Sequence, residues 1–262
     1  MNAIILAAGM GTRLGAYTAD RPKCTLLFKG KQLIEHQVDT LRRAGITDIT
    51  IVRGYHSECI QIPGVRYVQN DDFMNTNMVE TLFCAESEIK GDTLIAYADI
   101  LYEPRVIAAI QASTVDIGVT VDTDYWTYWS ARLDHPEQDT ESLVVNDQGT
   151  IIELGDSSCP SEKARIRYVG LIKLSQKGAE ALKRVYHENS IAHSNSNEPW
   201  KRSKCFRKAY MTCLLQAVID SGFPVHPIEI QHGWIEFDTV EDYERAAKWD
   251  AEGNLDRFIH LT

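Results

Sequence analysis

Across residues 2–122 two hydrophobic periods take turns, and that alternation limits the fold more than any other feature of the chain. Asn2–Ala7 is a continuous apolar run, the pattern of a strand covered on both faces. Residues 31–44 then place Leu33, Ile34, Val38 and Leu41 at helical spacing, with Gly45 as the stop. ITDITIV supplies a second strand and VRYVQN a third, and TNMVETLFCAESEI reads as a helix capped by Thr76 or Asn77. DTLIAYADI is a fourth strand ending on an acid, a helix follows near 103–113, and VDIGVTVD is a fifth strand. Such alternation implies parallel strands joined by right-handed helical crossovers. The expected class is therefore α/β: a doubly wound, mostly parallel, Rossmann-like sheet whose ligands sit beyond the carboxyl ends of its strands.

Past residue 122 the pattern changes. Segments 142–146, 150–154 and 166–174 are short strands separated by polar turns such as NDQG, and they read as a β-rich insertion or lid. HENSIAHSNSNEP, 187–199, lacks periodicity and reads as a loop. A helix near 206–221 and strands near 225–230 and 234–237 return to the core.

The 262 residues carry a net charge of −10, which repels polyanions, so nucleic acid is not an expected partner. No apolar run reaches the roughly 18 residues of a membrane helix, and the N-terminus lacks the basic start of a secretory signal. The six cysteines form no CxxC pair and read as reduced thiols, so a cytoplasmic protein is expected.

Chemistry begins at ILAAGMGTRL, where the first strand breaks into Gly9, Gly11 and Gly15 around Arg13. Glycine-rich turns after a strand expose backbone N–H groups that bind phosphate oxygens. The P-loop string GxxxxGK[ST] is absent. The dinucleotide fingerprint fits poorly too: the glycines are misspaced, and the second strand ends on Val52, Arg53 and Gly54 rather than on an acid. Residues 6–14 followed by Pro22 and Lys23 instead resemble the signature of the nucleotidyltransferase superfamily that includes sugar-1-phosphate nucleotidylyltransferases: L-A-A-G-x-G-[ST]-R-L, a short gap, then P-K. LIEHQVDTLRRAGITDITIVRGY, AYADI and WIEFDTVEDYERA are similar to later family segments, so the resemblance spans essentially the whole chain. NTNM, TNMVETLFCA and YMTCLLQA most resemble CTP-dependent enzymes acting on phosphocholine, aminoethylphosphonate or a glutamine-derived acceptor.

The resemblance implies a single domain over 1–262, with a nucleotide-binding half at about 1–122 and an acceptor-binding, metal-completing half at 123–262. It also implies CMP transfer from CTP to a small phosphorylated, phosphonate or amino-acid-derived acceptor, with release of pyrophosphate. The glycine loop Ala8 to Gly15, with Gly9, Gly11, Thr12 and Arg13, would wrap the triphosphate, Leu6 and Ala7 would also bind the nucleotide, and Lys23 would stand near the α-phosphate. Arg13 and Lys23 are thus the catalytic candidates. Gly54, Tyr55, Asn77, Thr81 and Ala98 are candidates for holding the nucleoside. Asp99, which ends a buried strand, and Asp238, with Glu236 two residues before it, are candidate Mg2+ ligands, although Asp238 could instead cap the helix that follows.

Trp126, Trp129, Arg132 and Glu153 are acceptor candidates: the aromatic rings could face an ammonium, or could simply be core. KRSKCFRK, 201–208, could gather an anionic substrate or form a solvated face. No histidine is placed to act as a base, and a phosphate or phosphonate acceptor, already anionic, needs none. The competing readings are a sugar-1-phosphate nucleotidylyltransferase and a catalytically silent nucleotide-binding module. The expected partners are CTP and a small anionic or zwitterionic acceptor, with no nucleic acid and no membrane, and a homo-oligomer is left open.

Overall fold

In a computed structural model, described over residues 1–261, seven strands form one twisted sheet. From one edge to the other they run His226–Ile230, Ile117–Asp122, Arg167–Leu174, Thr93–Tyr97, Asn2–Ala7, Ile49–Arg53 and Arg66–Gln69. All pair in parallel except Arg167–Leu174, which is antiparallel to both neighbours. The chain starts in the middle, winds outward through Ile49–Arg53 and Arg66–Gln69, then crosses back to Thr93–Tyr97 on the other side of Asn2–Ala7. Winding therefore reverses between those two central strands, which is where an open α/β sheet leaves a crevice for ligands.

Strand residues alternate between two cores, as a period of two requires. Ala3, Ile5, Ile51, Leu94 and Ala96 face one core with the helices Leu33–Arg43 and Pro104–Ala112. Ile4, Leu6, Val52, Ile95 and Val119 face the other with Met78–Cys84, Gln176–His193 and Met211–Asp220. Each central strand is buried on both sides, and for that reason reads as an unbroken apolar run.

Three expectations are corrected. The 166–174 segment is no part of an insertion: Arg167–Leu174 lies inside the main sheet, while Leu143–Val145 and Ile151–Leu154 pair with each other as a separate hairpin. Helix Gln176–His193 continues into the stretch read as a loop, with Ala179, Leu182, Val185 and Tyr186 buried along one face. The late helix starts only at Met211. All six cysteines are free, and among the described residues no helix is long and apolar enough to cross a membrane.

Candidate active site

A cleft of about 770 Å³ opens at the carboxyl ends of the central strands. Its near wall is the loop that follows Asn2–Ala7. Gly11 takes φ +64° and Gly15 φ +52°, and the Thr18 hydroxyl donates to the Gly11 carbonyl at 2.8 Å, folding the segment into the short 3-10 turn Thr12–Thr18. A Cβ at Gly11 would stand 2.9 Å from the Lys23 Cβ. Left-handed backbone costs a residue with a side chain roughly 1–2 kcal/mol. Gly11→Ala is accordingly expected to lose at least about that much in urea unfolding; an unchanged midpoint and slope would show that the loop relaxes freely.

Lys23 follows Pro22, whose extended backbone turns the chain into the cleft. Its Nζ lies 2.7 Å from a carboxylate oxygen of Asp99 and 2.7 Å from one of Asp238. Two tethers bring these acids together. The buried Gln37 amide, on helix Leu33–Arg43, donates to the carbonyls of Tyr97 (2.9 Å) and Ile100, fixing the turn that carries Asp99. The short strand Trp234–Glu236 pairs antiparallel with Ile100–Tyr102, and the Phe237 N–H then donates to the Asp99 carbonyl at 2.9 Å. Arg13 adds a guanidinium nitrogen 3.1 Å from Asp238. Burial alone would push the Lys23 ammonium towards neutrality, but Asp99 and Asp238 reverse this and hold its pKa above the ordinary lysine range. Burial likewise works to raise Asp238, yet Lys23 and Arg13 keep its carboxyl below the usual value. Thr239, not Asp238, caps helix Val240–Ala251, which leaves the Asp238 carboxylate to the cleft.

Behind this cluster lies a second one. Arg132, 3% exposed, donates from Nε and Nη2 to the two oxygens of buried Asp242 at 2.7 and 2.8 Å, and from Nη1 to Glu236. Asp242 also accepts from the N–H groups of Asp238 (2.9 Å) and Thr239 (2.8 Å), so Arg132 steadies the turn bearing Asp238. Burial raises the Glu236 carboxyl to about 7, although Arg132 opposes the rise.

The cleft collects Leu6, Ala7, Ala8, Gly9, Gly11, Thr12, Arg13, Lys23, Asn77, Thr81, Ala98, Asp99, Glu236 and Asp238 from the residues singled out in the sequence. Asn77 also caps helix Met78–Cys84 by accepting from the Met78 N–H, and Thr81 accepts from the Asn70 amide at 3.0 Å.

Other candidates fall elsewhere. Gly54 and Tyr55 support the loop from behind: a Cβ at Gly54 would meet the Ala8 carbonyl at 2.7 Å, and Tyr55 N–H donates to that carbonyl at 3.2 Å. Trp126 is exposed outside the cleft, because helix Tyr125–Arg132 turns Tyr125, Tyr128, Trp129 and Arg132 inward. Trp129 is fully buried, with its indole N–H donating to the Asp139 carbonyl at 2.8 Å, so it belongs to the core. Arg132 is spent on Asp242 and Glu236 and cannot meet an acceptor. Glu236 reaches the cleft, but an oxygen is taken by Arg132, which weakens its case as a metal ligand. Glu153 pairs with Lys163 at 2.7 Å and does not line the cleft. Of the basic stretch, Arg202 alone lines it.

The far end is built from residues the sequence reading passed over: Asp139, Glu141, Arg167, Tyr168 and Tyr210. The signal lay in the topology. An antiparallel strand delivers its first residues, here Arg167 and Tyr168, to the edge where its parallel neighbours end.

Comparison with known proteins agrees with this geometry. Residues 3–140 match the MobA-like NTP transferase domain family. Over 257 residues the chain is 34% identical to the CTP:phosphoglutamine cytidylyltransferase of Campylobacter jejuni, covering 93% of this chain and 98% of that protein. It is 28% identical over 199 residues to the 2-aminoethylphosphonate cytidylyltransferase of Lancefieldella rimae, covering 71% of this chain and 72% of that protein. In fold it resembles the CTP:phosphocholine cytidylyltransferase of Streptococcus pneumoniae, with a TM-score of 0.72 at 23% identity over 94% of this chain and 97% of that one. With the glycine loop, Lys23 and the strand-end acids converging on one cleft, the chain belongs to the MobA-like NTP transferase domain family.

Proposed function

We propose that the protein is a cytidylyltransferase that moves CMP from CTP to a small phosphorylated, phosphonate or amino-acid-derived acceptor. One observation carries this reading: the Lys23 ammonium sits between Asp99 and Asp238 directly beside the glycine loop, at the sheet's switch point. The relatives named for CTP and phospho-acceptors support the choice of nucleotide and acceptor class.

In this reading the acceptor's anionic oxygen attacks the α-phosphorus. A new P–O bond forms there, the bond to the bridging oxygen breaks, and pyrophosphate departs with the electron pair. Such a reaction asks for positioning and charge rather than proton transfer. Backbone N–H groups of residues 8–13 and the Arg13 guanidinium bind the leaving phosphates. Lys23 supplies a point charge to the equatorial oxygens as negative charge builds on them.

Two carboxylates that already share a cation fit a hard divalent ion. Magnesium is commonly held by one or two carboxylates, with phosphates and waters completing its shell. Asp99 and Asp238 would hold Mg2+, which neutralises charge on the phosphates when bound.

Pyrophosphate release measured with each of four NTPs against phosphoglutamine, 2-aminoethylphosphonate, phosphocholine and a hexose 1-phosphate tests the reading. Release is expected with CTP and a member of the first three, and to vanish with EDTA and return with Mg2+. Release with the hexose phosphate alone would replace this function with sugar-nucleotide synthesis, and release from no pair would leave only nucleotide binding.

A further inference from the structure

We infer that Arg167 is the clamp for the acceptor's own phosphate or phosphonate group. This rests on the proposed cytidylyl transfer and adds to it a residue and a substrate class. Arg167 is the first residue of the antiparallel strand, paired with Asp122 at the carboxyl end of its neighbour. Pairing to that neighbour slips between Tyr168 and Ile172, and Gly170, at φ +84°, lets the Tyr97 ring pack where a Cβ would stand, 2.8 Å away. Irregularities of this kind re-aim strand-end side chains at functional sites. Here Arg167 and Tyr168 face the cleft.

The guanidinium lies 4.3 Å from the Trp129 ring centroid, and its side chain is 11% exposed. For so enclosed a cation it has few partners: a hydrogen bond to the Asp139 carbonyl at 3.3 Å and a carboxylate oxygen of the same residue at 4.0 Å. The other cations of the cleft are better answered. Lys23 has two carboxylates at 2.7 Å, Arg13 has one at 3.1 Å, and Arg202 has two at 4.0 Å plus the Leu154 carbonyl at 3.0 Å. A planar fork of five donors with most of them unspent is built for an incoming anion.

Position tells which anion. Arg167–Leu174 is separated from Asn2–Ala7 by Thr93–Tyr97, so Arg167 stands two strand spacings, about 10 Å across the sheet, from the strand that leads into the glycine loop. With the leaving phosphates on the glycine loop, an anion held two strands away would reach the α-phosphorus from the other side of the cleft, as an attacking group must. The Trp129 ring holds the guanidinium by a cation–π contact, and the irregular strand start carries it to the cleft.

The test uses purified wild type, Arg167→Gln and Arg167→Lys, with CTP and whichever of phosphoglutamine, 2-aminoethylphosphonate and phosphocholine the wild type turns over. Arg167→Gln is expected to raise the KM for the acceptor tenfold or more while the KM for CTP stays within twofold, and Arg167→Lys to fall between the two. Methyl phosphate is expected to inhibit wild type competitively against the acceptor, with inhibition weakened tenfold in Arg167→Lys. That arm stands even if the glutamine variant folds poorly. An acceptor KM within twofold of wild type in the folded variants, or an equal rise in the KM for CTP, overturns the assignment; the latter would give Arg167 to the nucleotide. Wild type that turns over none of the three acceptors removes the cytidylyl transfer reading itself, and this proposal with it.

Discussion

Lys23→Ala is expected to lower kcat about 10²–10³-fold, the range seen when a single preorganised charge-stabilising donor is removed from an active site. The ammonium is held by Asp99 and Asp238 at 2.7 Å each, so its position is set before any substrate arrives. Much of its value should appear in the transition state, where the equatorial oxygens carry more charge than in bound CTP. The KM for CTP should therefore change far less than kcat. Steady-state pyrophosphate release checks both constants, and turnover undiminished in the alanine variant would sink the role assigned to Lys23.

Arg132→Met is expected to cost about 3–5 kcal/mol of folding stability, because removing one partner of a buried ion pair strands the other. Here two would be stranded: Asp242, whose side chain is 1% exposed, and Glu236. Arg66→Met makes a fair control. Arg66 pairs with Asp48 and Glu88 at a half-exposed site, where a change under about 1 kcal/mol is expected. Urea unfolding of both variants measures the contrast. A loss below 1 kcal/mol in Arg132→Met would mean that the cluster relaxes, or takes up water, rather than enforcing the geometry of the Asp238 turn.

Much of the architecture was legible because helices and buried parallel strands leave different periods. Asn2–Ala7, Thr93–Tyr97 and Ile117–Asp122 stand where the apolar runs put them. The glycine loop and the two aspartates meet because each lies just beyond a strand end, and Lys23 reaches them from the short turn Lys23–Thr25 that follows Pro22. The direction of a strand leaves no such mark. The core of Arg167–Leu174, residues 169–172, is apolar like its parallel neighbours, and only the pairing reveals that the strand's start, not its end, faces the ligand edge. Arg132 and Trp129 were misplaced for a related reason. In a short aromatic helix, Tyr125, Tyr128, Trp129 and Arg132 share one face, so the arginine follows the rings inward to meet Asp242 from a distant segment. Sequence spacing cannot announce a partner that lies more than a hundred residues away.

The Trp234–Glu236 strand hydrogen-bonds to Ile100–Tyr102 and takes no place in the seven-stranded sheet. Yet Trp234, Ile235 and Phe237 are at most 1% exposed within one core, so this clasp opens only when that core loosens. Opening there would carry Asp238 away from Lys23, so amide exchange at Trp234, Ile235 and Phe237 is expected to be slow and to report how rarely the Lys23–Asp238 contact breaks in the native molecule.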